Sequence, residues 1–391
     1  MLENMMRREG DFFEAYLANR DKFEIQVIYT QINRDSLNQP HFRTFRFNVD
    51  SARYFYPAST VKFPMSLLAL EKLKKLQVRG LDKYTPMFHD SVYSGQRAVR
   101  ADTTSANGLP SVAHYVKKIL IVSDNDAHNR LYEFLGQRDA NVWLNEKGYQ
   151  IRLLHRLERP LTPDQNRHTE PVRFARHDSV LYQQPMGVND SIVVTTVVRK
   201  GIAYLNNQDS LIQEPFDFSY KNLFPLTEQQ RLLRNFLFPE TAPEAARFEI
   251  TADDRQWVLR HMSQLPTETY FPPYAKDTAM YPAWCKFLMF GNDKAPIPSG
   301  IRIFNKVGDA YGYLIDNAYV VDFDNQVEFL LSAVILCNED GIYNDSQYEY
   351  EERGFPFMRE LGQMVYRYER DRKRKYKPDL SAFRFDYGND R

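Results

Sequence analysis

The sequence predicts a mixed α/β architecture: an antiparallel five-stranded sheet flanked by helices from both termini, with a helical region inserted between its strands. Three observations predict it. β-forming stretches lie near both ends of the 391-residue chain, amphipathic helical stretches lie outside them, and helical periodicity dominates the middle. The expected sheet part is 1–52 with 296–391, and the helical part is 53–295, all within one catalytic domain spanning 1–391.

Composition supports a folded, neutral chain. Hydrophobic residues make up 43% and aromatic residues 14%, enough for a large core. The 51 basic residues balance 51 acidic ones, so no global field draws the chain to nucleic acid or to a membrane surface. Cys285 and Cys337 are too few for a disulfide framework or a cysteine-based metal cluster, and read as buried thiols. No apolar run reaches membrane-spanning length, and the start MLENMMRREGDFFEAYL lacks the apolar centre of a signal peptide.

Residues 3–20 carry an apolar helical face of Met6, Phe12, Phe13, Tyr16 and Leu17. Lys22 to Gln31 and His41 to Asn48 read as a pair of strands around a polar loop. From about Ser59, an amphipathic helix places Val61, Met65, Leu68, Leu73 and Leu76 on one side. Ser111 begins another helix, which runs into IVSDNDAHNRLYEFLG and a second helix ending near Gly136. A short helix is expected over Asn141 to Gly148, closed by its glycine. RLLHRLERPLTPDQNRHTEP follows as a proline-broken loop. An insertion around 172–225 holds no chemical motif, and its SIVVTTVVRKGIAYLN suits a strand or a buried helix equally. Leu226 to Phe238 and Thr251 to Leu265 are helical by period, the second opened by a threonine cap and acids. Three strands, IRIFNKVG, YGYLIDNAYVVDF and VEFLLSAVILC, precede a closing helix from about Tyr350 to Lys373.

Chemistry concentrates in short motifs. Ser59 and Lys62 stand three positions apart at a helix start, and a neutral lysine amine can take a serine proton. Ser123-Asp124-Asn125 lies at a helix junction, and Lys306-Val307-Gly308 lies in a strand. Each alone is equally a capping turn or a surface charge. Their order and spacing together resemble the signature of class A β-lactamases and penicillin-binding proteins. The loop acid Glu158, 35 positions after Ser123, stands where that family's omega loop carries a glutamate.

That resemblance implies a β-lactamase/transpeptidase-like fold and a serine hydrolase working through an acyl-enzyme. Ser59 would be the nucleophile, with Lys62, assisted by Glu158 through water, as its proton acceptor. Ser123 would pass a proton to the leaving nitrogen, and Asn125 would touch the substrate amide and Lys62. Glu158 would activate the deacylating water, and Lys306 would supply positive charge near Ser123. Gly308 and Asp309 would line the substrate site, with the N–H groups of Ser59 and Asp309 as oxyanion hole. Two lysines around one serine also favour a neutral Lys62, because each raises the cost of protonating the other.

The chain departs from the family where Val307 and Asp309 replace hydroxyl-bearing residues and where Thr162 replaces an asparagine that helps hold water. Weak action on carboxylate-bearing penicillins is therefore expected, and Glu170 is the alternative loop acid. The implied partner is a small molecule, a β-lactam or a related amide, ester or peptide. No metal, cofactor or nucleic acid is implied. The family works outside the cytoplasm, so a periplasmic or other extracytoplasmic protein is expected, its export segment absent from this sequence. The same scaffold also supports a peptidase or esterase on a non-β-lactam substrate, or a sensor that acylates slowly.

Overall fold

The structure is a computed structural model and describes residues 1–93, 96–177 and 179–388. Its centre is an antiparallel sheet of β1 (Gln26–Arg34), β2 (Pro40–Phe47), β3 (Ile301–Ala310), β4 (Tyr313–Asp322) and β5 (Val327–Leu336). Their spatial order is β3-β4-β5-β1-β2, so the first two strands and last three form one sheet, with β3 at an edge.

Both faces of this sheet are covered, which explains why β4 and β5 are buried at every position and read as near-continuous apolar runs. Successive side chains serve different cores. Ile303, Val307, Ala318 and Val320 pack with Leu2 and Met6 of α1 (Leu2–Arg8) and with Phe357 and Leu361 of the closing helix Phe355–Asp371. Phe304, Tyr319 and Val321 pack on the opposite face with Val61, Leu232 and Val258. This alternation fixes the direction of every side chain along β3.

Four helices matter to the second face. They are α2 (Lys62–Leu76), α3 (Val112–Val122), α4 (Asn125–Leu135) and Leu226–Leu237. α3 is capped by the Ser111 side chain, which accepts from the His114 N–H, and α4 by Asp124, which accepts from the Ala127 N–H. The threonine cap foreseen at Thr251 is formed with Asp254 at the start of Ala252–Ser263.

Several expectations need correction. The N-terminal stretch breaks at Gly10, whose φ of +78° interrupts the helix and leaves Leu2–Arg8 and Glu14–Ala18 separated by a 3₁₀ turn. The first strand starts at Gln26 rather than Lys22, because Glu24 turns with positive φ. The short helix is Gln137–Glu146, beginning earlier than Asn141. The region between the strands is not wholly helical. Met87–His89, Val172–Arg176 and Ser179–Gln184 form a three-stranded sheet. Within the insertion, Arg199–Lys200 pairs with Phe216–Asp217, and Ala203–Leu205 pairs with both Leu211–Ile212 and Ile342–Tyr343. SIVVTTVVRKGIAYLN is thus neither long strand nor buried helix; Ile192, Val194 and Val197 are exposed. Cys285 and Cys337 are free and buried. Among the described residues, no helix is long and apolar enough to cross a membrane.

Candidate active site

Ser59 sits in a 3₁₀ turn, Ala58–Val61, which precedes α2 rather than beginning it. Residues i and i+3 eclipse in a 3₁₀ turn, so Ser59 and Lys62 still share a side. Thr60 stabilises the turn by donating its N–H and its hydroxyl to the Pro57 carbonyl, at 3.1 and 2.6 Å. Ala58, immediately before Ser59, holds a φ of +47°, a conformation that costs a non-glycine residue about 1 kcal/mol or more.

Lys62 is completely buried and donates to the Ser123 carbonyl and, at 3.2 Å, to the Ser123 hydroxyl. Lys306 reaches the same hydroxyl from β3 at 2.7 Å and also donates to the Val307 carbonyl at 2.9 Å. Two amines from different halves of the fold therefore meet on one hydroxyl. Ser123 is presented there by a left-handed backbone, φ +62°, between α3 and α4.

Burial without a carboxylate partner in contact drives both lysines toward their neutral forms. Lys62 is held well below the usual lysine range, first by burial and then by the nearby Lys306 charge. Lys306 falls to about 8 through burial, opposed by Cys285 and Asp309. At neutral pH this favours Lys62 as proton acceptor and Lys306 as cation. His128, on α4, is buried with neither ring nitrogen hydrogen-bonded, and burial followed by Lys62 keeps it neutral.

Gly308 explains how the sheet edge comes so close to the turn that bears Ser59. A Cβ there would lie 2.9 Å from the Pro57 carbonyl oxygen and 3.0 Å from the Ser59 nitrogen. Only glycine permits that approach. Lys306 shares the phase of Phe304 and faces the helices. Val307 has the phase of Ile303 and lies in the opposite core, 1% exposed. The reading of Val307 as a cleft position that lost a hydroxyl is therefore corrected: its side chain points away from Ser59. Asp309 shares the phase of Val307 but stands at the solvent-open end of β3, outside that core, with Lys306, Lys62 and Glu158 as its charged neighbours; desolvation raises its pKa against the pull of the two lysines.

The loop after Arg152 is anchored by residues that sequence reading missed. Asn129 clamps the Leu157 backbone from both sides, accepting its N–H and donating to its carbonyl, each at 2.9 Å. Arg156 is buried against Glu133 at 2.6 Å and donates to the His168 carbonyl. Glu133 also accepts the Glu170 N–H, and Glu170 accepts the N–H of Val92 at 2.6 Å. Glu170, the alternative loop acid, is thus a backbone anchor. Thr162 caps the short helix Pro163–Arg167 through its hydroxyl, in a capping box with Gln165, and so is committed to local structure. Glu158 lies beyond the clamp, exposed and with φ +51°. Its charge is felt, weakly, by Tyr56 and Asp309, on either side of the turn that bears Ser59. Neither Glu158 nor Asn125 makes a side-chain hydrogen bond among the described residues, and the implied Asn125–Lys62 contact is absent. The sequence signal for Asn129 was its place one turn beyond Asn125, on the face turned to the loop.

A separate hollow of about 330 Å³ includes Lys72, Arg138, Arg167 and Tyr182 in its lining and none of these residues. Its arginines are already paired, Arg138 with Asp190 at 3.3 Å and Arg167 with Asp164 at 2.7 Å. Among the described residues no group of three His, Cys, Asp or Glu is placed to hold a metal ion.

Residues 13–190 match the model of the beta-lactamase enzyme family. No curated protein matches the chain. Similar solved structures include a beta lactamase from Xanthomonas campestris pv. campestris str. ATCC 33913, at 14% identity and TM-score 0.48 over 93% of this chain and 97% of that one. A beta lactamase from Burkholderia vietnamiensis gives 14% identity and TM-score 0.47, covering 95% and 96%. One from Sphaerobacter thermophilus DSM 20745 gives 13% and 0.47, covering 93% and 94%.

Proposed function

Because residues 13–190 match the model of the beta-lactamase enzyme family, we propose that the chain is a serine hydrolase that forms an acyl-enzyme on Ser59. The observation that carries the reading is the Ser123 hydroxyl held between Lys62 and Lys306, beside the turn that bears Ser59. The whole chain is taken to act as one catalytic domain with 172–225 as its insertion, working outside the cytoplasm as is usual for the family.

The residues divide the work as follows. Neutral Lys62 takes the Ser59 proton as the Oγ–C bond to the substrate carbonyl forms. The N–H groups of Ser59 and Asp309 stabilise the oxyanion, a role supported by β3 lying at the sheet edge and by the Gly308 contact. Ser123 passes a proton to the leaving group, its hydroxyl polarised by Lys306. Asn125 borders the bound amide. Water then cleaves the acyl bond, with Glu158 as the loop carboxylate that activates it.

Because Glu158 is exposed, water beside it is bulk-like rather than held in place, and the acyl-enzyme is expected to clear slowly. Preferred substrates are amides or esters that carry no carboxylate beside Asp309, whose negative charge repels one. Two like charges about 4 Å apart cost on the order of 4 kcal/mol at an effective dielectric near 20.

Intact-mass measurement tests this after exposure to a panel of β-lactams and a neutral ester or fluorophosphonate probe. One adduct on Ser59, lost in Ser59→Ala and slow to clear, is expected. An adduct retained in Ser59→Ala, or mapped to Ser123, refutes the assignment.

A further inference from the structure

The insertion brings one cation to the mouth that the chemistry above does not use. Lys221 is half-buried, and its Nζ lies 5.6 Å from the centre of the Phe216 ring and 5.7 Å from that of Tyr311. Its backbone is pinned at both ends: its N–H donates to the Phe218 carbonyl and its carbonyl accepts the Thr195 hydroxyl at 3.0 Å. No carboxylate among the described residues pairs with it.

Its surroundings lead back to the nucleophile. Tyr311 follows Asp309 by two residues at the end of β3, and a φ of +53° turns it out of the strand. Its ring lies 5.0 Å from that of Tyr56, edge to face, and Tyr56 precedes Ser59 by three residues. Tyr56 in turn stacks on His155 of the Glu158 loop at 5.9 Å. Lys221 also weighs on His155, after burial the main cause of that ring's low pKa. The half-buried faces of Phe216 and Tyr311 thus form a shelf between the loop and the end of β3, with a charge fixed above it.

A solvated lysine resting its stem on aromatic rings is common at surfaces. Here, however, one ring comes from the insertion and the other from the strand that carries Lys306, and the ammonium has been left without an acid. We infer that Lys221 is the anion-binding residue of an acyl pocket. It takes a carboxylate on the acyl portion of the substrate while an aryl or other flat group lies on Tyr311. This rests on the serine-hydrolase reading for its meaning in turnover, though binding itself does not depend on it.

The test uses the full chain carrying Ser59→Ala and two probes, terephthalamate and its neutral diamide, titrated by calorimetry or ligand-observed NMR. Terephthalamate should bind at least tenfold more tightly than the diamide. Lys221→Ala should erase that preference, and Lys221→Arg should keep it. Equal affinities, no binding of either probe, or a preference unchanged in Lys221→Ala overturn the inference. Labelling of Ser59 by a neutral fluorophosphonate, in the parent and in Lys221→Ala, separates the two claims. Labelling without anion preference removes the pocket and leaves the hydrolase. Anion preference without labelling does the reverse.

Discussion

Two buried lysines flank β3, and their contrast shows what makes a lysine chemically useful. Lys306 and Lys286 are both almost fully buried, and burial lowers each to about 8. Lys286 donates to the Met262 carbonyl at 2.8 Å and to the Asn305 side chain at 2.6 Å. Asn305 in turn donates to Asp316 at 2.8 Å, and burial raises Asp316 to about 6. Every group in that network is satisfied by protein and none faces the mouth. Lys306 instead ends on a serine hydroxyl that Lys62 also touches. A lowered pKa measures burial; reach to a reactive hydroxyl is what separates the two sites.

The largest test of this contrast compares Lys62→Met with Lys286→Met. Lys62→Met should slow Ser59 acylation roughly a thousandfold, the scale of a lost general base. Lys286→Met should leave acylation nearly unchanged and destabilise the fold by about 3 kcal/mol, because it leaves Asp316 buried without its compensating charge. Denaturant melts alongside probe kinetics read both effects, and a reversed pattern would undo the distinction.

Gly308→Ala comes next. The new Cβ would press on the backbone around Ser59, so acylation should fall about a hundredfold through misplacement. The melt should report an overpacking cost of only about 1–3 kcal/mol. Parent-like acylation would mean that the nucleophile turn yields freely.

Acylation should then decline above pH about 8 as Lys306 loses its proton and its charge. The stability linked to Lys306 runs the other way, so its own titration does not unfold the protein along this limb. With Lys306 at about 8 in the fold and about 10.4 when unfolded, the unfolded state binds more protons between those values, so stability rises with pH there. Lys306→Arg stays charged and should remove the limb, making the variant at least tenfold less sensitive between pH 8 and 10. A limb that persists belongs to another group.

The smallest effect is at Asp309. Asp309→Ser should raise kcat/KM for a carboxylate-bearing penicillin about tenfold, roughly 1.4 kcal/mol of transition-state binding. No gain would place the substrate carboxylate elsewhere.

That two early and three late strands make one sheet, and that Ser59 and Lys62 share a side, were legible in the sequence, because period and i,i+3 spacing are local properties. The three motifs could be placed beside a helix start, at a helix junction and in a strand for the same reason, although Ser59 itself lies in the 3₁₀ turn before its helix. The roles of residues outside regular periods were not. Whether Val307 looked into the cleft depended on which face of β3 the terminal helices cover. Where Glu158 stands, exposed just beyond the Leu157 backbone, depended on Asn129 and on the buried Arg156–Glu133 pair, contacts between residues far apart in the chain. The insertion, blank to periodicity because its strands there are two or three residues long, acquired a position near the end of β3 only when Phe216 met Tyr311. By itself the sequence determined which residue types could carry the proposed chemistry and their local spacing. Tertiary packing alone decided which of them face one another, because burial and long-range contact set both direction and charge.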